Sequence, residues 1–383
     1  MGTEILEAPF SISTFFLVIT TTLIITYFLY LALIRSNNSV IYLIDFACYL
    51  PADNLRVTIA SFVEHLHMGG TFSTDCSEFQ ERVVERSGIG DEACMPIALH
   101  ELPPEAYFKA SLEEVEQVLF PIVEDLLSKH SISPTSIDIL ISNCSLFCPT
   151  PSITAMITNK FGFRSNIKSF SLSGMGCGAG LLSISLAKDL LKVHKNSLAL
   201  VLSMEAISTN AYHGKAKSML VTNTIFRMGG AAILLSNKKH DEQRSKYKLL
   251  HLVRTHMGSD DRSYGSVIQQ DDGDGFVGVS LSRSLSHVAG NALRTNISEL
   301  GPLVLPYLEQ LRCGWGAVHR KLWIPSEARH AFSLPFDRLQ ALSPTQFRIS
   351  WENPQFFVVK YFLTDQLLSA LKESEAMRSR AVQ

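Results

Sequence analysis

Charge is in short supply along this chain. Asp, Glu, Lys and Arg make up only 18% of its 383 residues, and their formal sum is −2. No broad basic surface follows, which argues against nucleic acid as a partner. Cysteine is sparse and odd in number: Cys48, Cys76, Cys94, Cys144, Cys148, Cys177 and Cys313. An odd count in a chain of this length does not make a disulfide framework, so the bulk of the chain is expected to face a reducing compartment. There is no internal repeat and no heptad run. Cys144 and Cys148 have C-x3-C spacing but no second ligand pair, so zinc is not expected and a turn at Pro149 and Pro151 is. The acidic run 269–275 (QQDDGDG) lacks the ligand spacing of a calcium loop and reads as a surface turn.

What the chain has in quantity is hydrophobic residue, 46% in all. That suffices for one large core or two smaller ones. Its distribution is uneven. From Phe10 to Ile34 no residue is charged, and a helix over that stretch would reach about 37 Å, enough to cross a ~30 Å hydrocarbon core. Tyr27 and Tyr30 lie toward one end, as interfacial aromatics do. A cleaved signal peptide fits less well, because the apolar run is too long and no basic segment precedes it. Glu4 and Glu7 flank one side and Arg35 the other, which places the remainder of the chain on the cytosolic side.

Residues 36–51 read as a strand or a membrane-surface segment, and 52–105 as an extra layer. A regular alternation follows. Ser111 and Glu114 have capping-box spacing ahead of a helix to about Lys129, with Pro121 expected to kink it. Apolar runs predict strands at 137–142, 167–172, 198–203 and 231–236, with another beginning at Leu249. Helices are expected from Pro151 to about Lys160 and from Leu181 to Val193. Strands separated by helices predict an α/β fold with a mostly parallel, covered sheet. Residues 239–248 read as a polar surface loop, their lysines as a solvated face. A short helix is expected from Thr364 to about Ala376.

The sharpest local feature is the run 169–182, SFSLSGMGCGAGLL. A strand ends, glycines make a tight turn, and a helix begins just after Cys177. A thiol is a nucleophile only as thiolate, and a helix N-terminus favours that form. Gly176 and Gly178 flank the sulfur and leave room for a bulky thioester. The Cys177 N–H is a candidate oxyanion donor. A phosphate-binding loop is excluded by the missing Gly-Lys-Ser/Thr ending. Taken alone, such a cysteine is more often a small buried residue in a glycine-packed turn.

Several long segments change that balance. VIYLIDFACYLP, NCSLFCPTPSITAMI, NIKSFSLSGMGCGAGLLSISLAKDLL, IFRMGGAAILLSNKK, VRTHMGSDDRSYG and LRTNISELGPLVLP occur in order. Together they resemble the plant 3-ketoacyl-CoA synthases, from about residue 40 to about residue 310. The resemblance implies a thiolase-like layered fold and an anchor in the endoplasmic reticulum membrane with the catalytic domain facing the cytosol. It also implies elongation of very-long-chain fatty acids without a cofactor. Long-chain acyl-CoA and malonyl-CoA would be the substrates. The membrane bilayer, and a second copy or other elongase subunits, would be the partners. Cys177 would be the acylated nucleophile. His256, in RTHMG, matches a family histidine and is carried as a pocket-lining residue beside Gly176 and Gly178. Glu205 and Asn223 remain unassigned, with a structural hydrogen bond expected for Glu205.

The resemblance stops at about Leu311. The family's HAGGR-type and HRFGN-type motifs, which supply a His and an Asn for decarboxylation, do not occur. His319 and His330 are not followed by Gly-Gly-Arg, and Asn353 precedes Pro. Too few residues follow the acidic loop for a complete second half of a thiolase-like fold. The expected organisation is an anchor over 1–36, an extension over 37–104, a condensing core over 105–311 and a divergent tail over 312–383. Such a chain is expected to accept an acyl group on Cys177 and to condense poorly. The alternative is a non-catalytic membrane partner of active synthases.

Overall fold

The computed structural model describes residues 20–23, 26, 40–102, 104, 107–208, 211–311 and 315. The apolar segment 10–34 falls largely outside them, as do the helix expected at 364–376 and almost all of the tail. Among the described residues no helix is long and apolar enough to cross a membrane.

The centre is a six-stranded sheet in the order β3-β2-β4-β5-β1-β6. Its strands are β1 (Ile41–Cys48), β2 (Ile139–Asn143), β3 (Lys168–Leu172), β4 (Leu198–Met204), β5 (Gly230–Ser236) and β6 (Tyr247–Leu249). The helices are α1 (Ile59–Met68), α2 (Thr74–Arg86), α3 (Phe108–Lys129), α4 (Ile153–Phe161), α5 (Ala179–Val193), α6 (Lys217–Ile225), α7 (Asp261–Tyr264) and α8 (Leu285–Val304). A two-stranded hairpin, β7 (Val267–Asp271) and β8 (Val277–Leu281), stands apart.

The sheet is covered on both faces, which is why β2 and β4 read as continuous apolar runs. Leu198, Leu200 and Leu202 share a core with Val115, Val118 and Leu126 of α3. Their neighbours Ala199 and Val201 point the other way, toward Ile184, Ala187 and Leu191 of α5. Side chains alternate across a strand, so one sequence run supplies both cores.

The expectation of a mostly parallel sheet is corrected. β2 runs parallel to β3 and to β4. The pairs β4–β5, β5–β1 and β1–β6 are antiparallel. The reason lies in which helices cover the sheet. α4 and α5 lie against it and act as crossovers. α6 instead packs on α2 and β8, so the chain leaves β4 and returns as its antiparallel neighbour. β1 belongs to the central sheet itself rather than to a membrane-surface segment.

Three local expectations also shift. The helix placed at Ser111 begins at Phe108 with Tyr107 as its N-cap, and Ser111 is buried inside it, so the capping box is not one. The helix runs on through Pro121 to Lys129. The strand expected from Leu249 ends there as β6. The acidic run 269–275 supplies the end of β7 and then the hairpin turn, where Asp272 Oδ1 accepts the Asp274 and Phe276 N–H groups. Asp272 Oδ2 accepts the Tyr212 hydroxyl at 2.5 Å, so the acidic turn is a fastening for residue 212.

Candidate active site

The nucleophile turn is built as its glycines require. β3 ends at Leu172, a single 3-10 turn spans Gly176–Gly178, and α5 begins at Ala179. Gly174 and Gly176 have φ of 68° and 67°, the left-handed region where a Cβ is strained. Gly178 has an ordinary backbone, and a Cβ there would meet open space. Cys177 is exposed at the N-terminus of a 15-residue helix.

The thiol is not activated by that position. Its desolvation by the surrounding protein, followed by the charge of Glu205, pushes its pKa above the ordinary thiol value. Its own backbone N–H works in the opposite direction without winning. Among the described residues no histidine hydrogen-bonds the sulfur. The reactive form therefore needs a proton acceptor, or higher pH, to build up.

One carboxylate, Glu205, holds the segment next to this turn, and a second, Glu114, holds the residues that follow Glu205. Glu205 follows β4 directly. Its oxygens accept the Ser145 N–H at 2.8 and 3.0 Å and the Leu146 N–H at 2.9 Å. Ser145 Oγ in turn donates to the Gly176 carbonyl at 3.4 Å. Glu205 is thus the structural hydrogen-bond acceptor expected of it, and its charge also reaches Cys177. Glu114 of α3 is fully buried. Its Oε2 accepts the Ile207 N–H, the Ser208 N–H and the Ser208 hydroxyl at 2.9, 2.9 and 2.7 Å. Burial raises its pKa despite these donors. The signal for Glu114 was present in the sequence: it sits with Ala110 and Val118 at i, i+4 spacing, a charged residue in an apolar stripe.

The other candidate residues separate. Cys144 is buried, its Sγ accepts the Ala206 N–H at 3.4 Å, and burial first of all pushes its thiol up to about 12. It is a packing residue. Cys148 and Cys48 are exposed free thiols. His256 is exposed, and its Nδ1 accepts the Gly258 N–H at 3.2 Å. The segment bearing it is tied to α8 by Asn296, whose Nδ2 donates to the Val253 carbonyl and Thr255 Oγ1 at 3.1 and 3.0 Å. Asn223 pairs through its amide with both backbone groups of Tyr212, at 3.0 and 2.7 Å.

A strand–glycine–helix turn that presents a cysteine over a layered α/β sheet is a setting in which a cysteine can act as a nucleophile. The model describing FAE1/Type III polyketide synthase-like proteins matches residues 32–322. The chain belongs to that family. The match runs beyond Leu311, where the motif resemblance stops. Among relatives of the FAE1/Type III polyketide synthase-like chain, 3-ketoacyl-CoA synthase 7 of Arabidopsis thaliana is 58% identical over 294 residues, 75% of this chain and 64% of that protein. 3-ketoacyl-CoA synthase 5 of the same plant is 50% identical over 290 residues, 76% of this chain and 59% of that protein. The chain thus spans less than two-thirds of the length of either relative. Two solved structures share the thiolase-like fold. The 1,3,6,8-tetrahydroxynaphthalene synthase of Streptomyces coelicolor aligns with a TM-score of 0.55 at 18% identity, over 67% of this chain and 73% of that one. The type III polyketide synthase domain of Steely1 from Dictyostelium aligns with a TM-score of 0.54 at 18% identity, over 68% and 73%.

The Glu205 charge gives a direct prediction. Glu205→Gln keeps an acceptor for the 145–146 amides and removes the charge that disfavours the thiolate. Iodoacetamide alkylation of Cys177 near neutral pH is expected to speed up about two- to tenfold, because the thiolate fraction rises as the pKa falls. Peptide mapping over time reads the rate. An unchanged rate would mean that Glu205 acts on the turn only through hydrogen bonds.

Proposed function

We propose that this chain is the nucleophile-bearing part of a 3-ketoacyl-CoA synthase of very-long-chain fatty acid elongation. The single observation that carries the reading is the setting of Cys177, on a glycine turn between β3 and α5 in a chain 58% identical to a plant 3-ketoacyl-CoA synthase. The Cys177 thiolate attacks the thioester carbonyl of a long-chain acyl-CoA, the C–S bond to CoA breaks, and CoA leaves as a thiolate that takes up a proton. In the complete reaction malonyl-CoA loses carbon dioxide, and its enolate attacks the acyl-Cys thioester. The product is a 3-ketoacyl-CoA two carbons longer, with Cys177 released. Gly176 and Gly178 flank the incoming thioester, and His256 borders the substrate path. The enolate oxygen needs positioned donors in a site closed to water. The HAGGR-type and HRFGN-type motifs that supply them in the family do not occur in the sequence.

The segment 10–34 serves as the anchor in the endoplasmic reticulum membrane, with the sheet domain in the cytosol. A second copy pairs through β3. That edge strand is exposed at 168–171, and Phe170, Met175 and Leu181 are exposed beside it. Among the described residues β3 has no strand on its outer side, and such an edge with apolar side chains invites pairing. Phe170→Lys is expected to convert a dimer to a monomer in sedimentation; a wild-type monomer would remove the second copy from the account.

The test of function supplies purified protein with radioactive long-chain acyl-CoA, with and without malonyl-CoA. The expected result is label on the protein that is lost in Cys177→Ser, together with severely impaired elongation. Elongation at a normal rate would refute the impaired condensation. Absence of label would favour the non-catalytic partner.

A further inference from the structure

Between α1, α2 and α6 lies a cavity of about 110 Å³. Phe62, Leu66, Phe72 and Leu99 wall it on one side, and Ile207 and Phe226 on the other. One polar group in this apolar lining is unexplained. Gln80 of α2 lines the cavity and is fully buried. Its Nε2 lies 3.5 Å from the Cys76 carbonyl, at the limit of a hydrogen bond. Among the described residues its Oε1 has no hydrogen-bond partner. Buried polar atoms without a partner are rare and costly. Several other polar groups of the lining are assigned, while the half-buried rings of His65 and His213 add further polar atoms. Asn223 is used by Tyr212, His100 Nε2 bonds the Met95 carbonyl at 3.1 Å, and burial disfavours a charge on His213. The cavity also reaches the nucleophile's own scaffold, since Ile207 lies two residues past Glu205 and is held by Glu114.

A largely apolar cavity with a fully buried, unpaired acceptor suits an apolar chain that carries a donor. The simplest such group on a hydrocarbon chain is a hydroxyl. We propose that this cavity holds the few carbons around the hydroxyl of a hydroxylated acyl chain, with the hydroxyl donating to Gln80 Oε1. The proposal rests on the reading of Cys177 as acyl acceptor for its place in the reaction. Gln80 is then a specificity-determining residue. It favours a hydroxylated chain over a plain one because only the former satisfies the acceptor, whereas the plain chain leaves it unpaired in a dry site.

The test uses the purified full chain and saturated fatty acids of one length, either plain or with a single hydroxyl walked along the chain. Each is scored by displacement of a fluorescent fatty acid. In the wild type, hydroxyl at one or two neighbouring positions is expected to improve displacement about tenfold over the plain acid. In Gln80→Leu that preference should vanish, with the plain acid binding as well or better. Gln80→Leu removes an unpaired buried acceptor at similar volume, so its melting temperature should equal or exceed that of the wild type. Gln80→Met provides the same comparison should the Leu variant fail to fold. No preference in the wild type, or a preference that persists in the variants, would overturn the proposal. Repeating the displacement in Cys177→Ala separates the two ideas. The hydroxyl preference should survive there, so failure of acylation at Cys177 alone would count against the proposed function and not against the cavity.

Discussion

Glu114→Ala is expected to destabilise the fold by about 3–5 kcal/mol. The carboxylate is buried among apolar residues of α3, and it is the acceptor for two backbone N–H groups and one hydroxyl at Ile207 and Ser208. Alanine leaves all three donors unpaired in the core and removes the packing of the side chain. Losses of that size are a large fraction of a domain's total stability. The damage should not stay local. The segment it holds leads back to Glu205, and Glu205 holds the 145–146 amides under the nucleophile turn. Glu114→Gln retains an acceptor for Ser208 and should cost about 1 kcal/mol. The pH dependence has a definite sign. A folded-state pKa raised above the ordinary Glu value means that the folded chain binds this proton more tightly than the unfolded chain. Stability therefore declines as pH rises from the ordinary Glu value through the raised one, and Glu114→Gln should remove that decline. Urea unfolding across this range, followed for both variants, measures it. An Ala variant within about 1 kcal/mol of wild type would contradict the role.

Asp45→Asn is expected to cost about 1–3 kcal/mol, with the opposite pH signature. Asp45 is a fully buried residue of β1. Its Oδ2 meets Lys129 Nζ and His130 Nε2, both at 2.9 Å, its Oδ1 accepts the Phe46 N–H at 2.8 Å, and Lys246 Nζ also pairs with Oδ1. Burial opposes the charge, yet the hydrogen bonds from Lys246, Lys129 and His130 outweigh it and hold the carboxyl well below the usual carboxylate range. Stability from this group is complete above the ordinary Asp value and is lost as pH falls below it. The cost stays moderate because Lys129 and Lys246 are half exposed and rehydrate when the charge is removed. Thermal unfolding of wild type and Asp45→Asn should converge on the acid side and separate near neutrality. Parallel curves at all pH values would show that the cluster is not linked to folding.

Sequence reasoning succeeded where the determinant is local. The Cys177 turn follows from glycine spacing between a strand and a helix, and the positions of β2, β4 and β5 follow from apolar runs. It failed where the determinant is a tertiary partner. Ser111 and Glu114 have the spacing of a cap, but Phe108, Lys109 and Ala110 extend the helix beyond them and turn Glu114 into the core. Its true partners lie more than ninety residues away, at Ile207 and Ser208. Strand direction was not legible from the alternation of strands and helices, because the segment between β4 and β5 carries α6, which packs on α2 and β8 rather than crossing the sheet. Lys246 looked like part of a solvated face, but it pairs with a buried carboxylate. Gln80 sits between Cys76 and Val84 at i, i+4 spacing. A polar residue in that stripe was a readable signal of a buried acceptor, while its lack of a partner was not.

The central claim is that Cys177, and no other exposed thiol, takes the acyl group. The direct measurement is mass spectrometry of peptides from protein incubated with a long-chain acyl-CoA at mildly alkaline pH, where the raised thiol pKa allows thiolate to form. The account predicts one acyl group, on the peptide that carries Cys177. Acyl groups found on Cys48 or Cys148 instead, or on no cysteine, would contradict it.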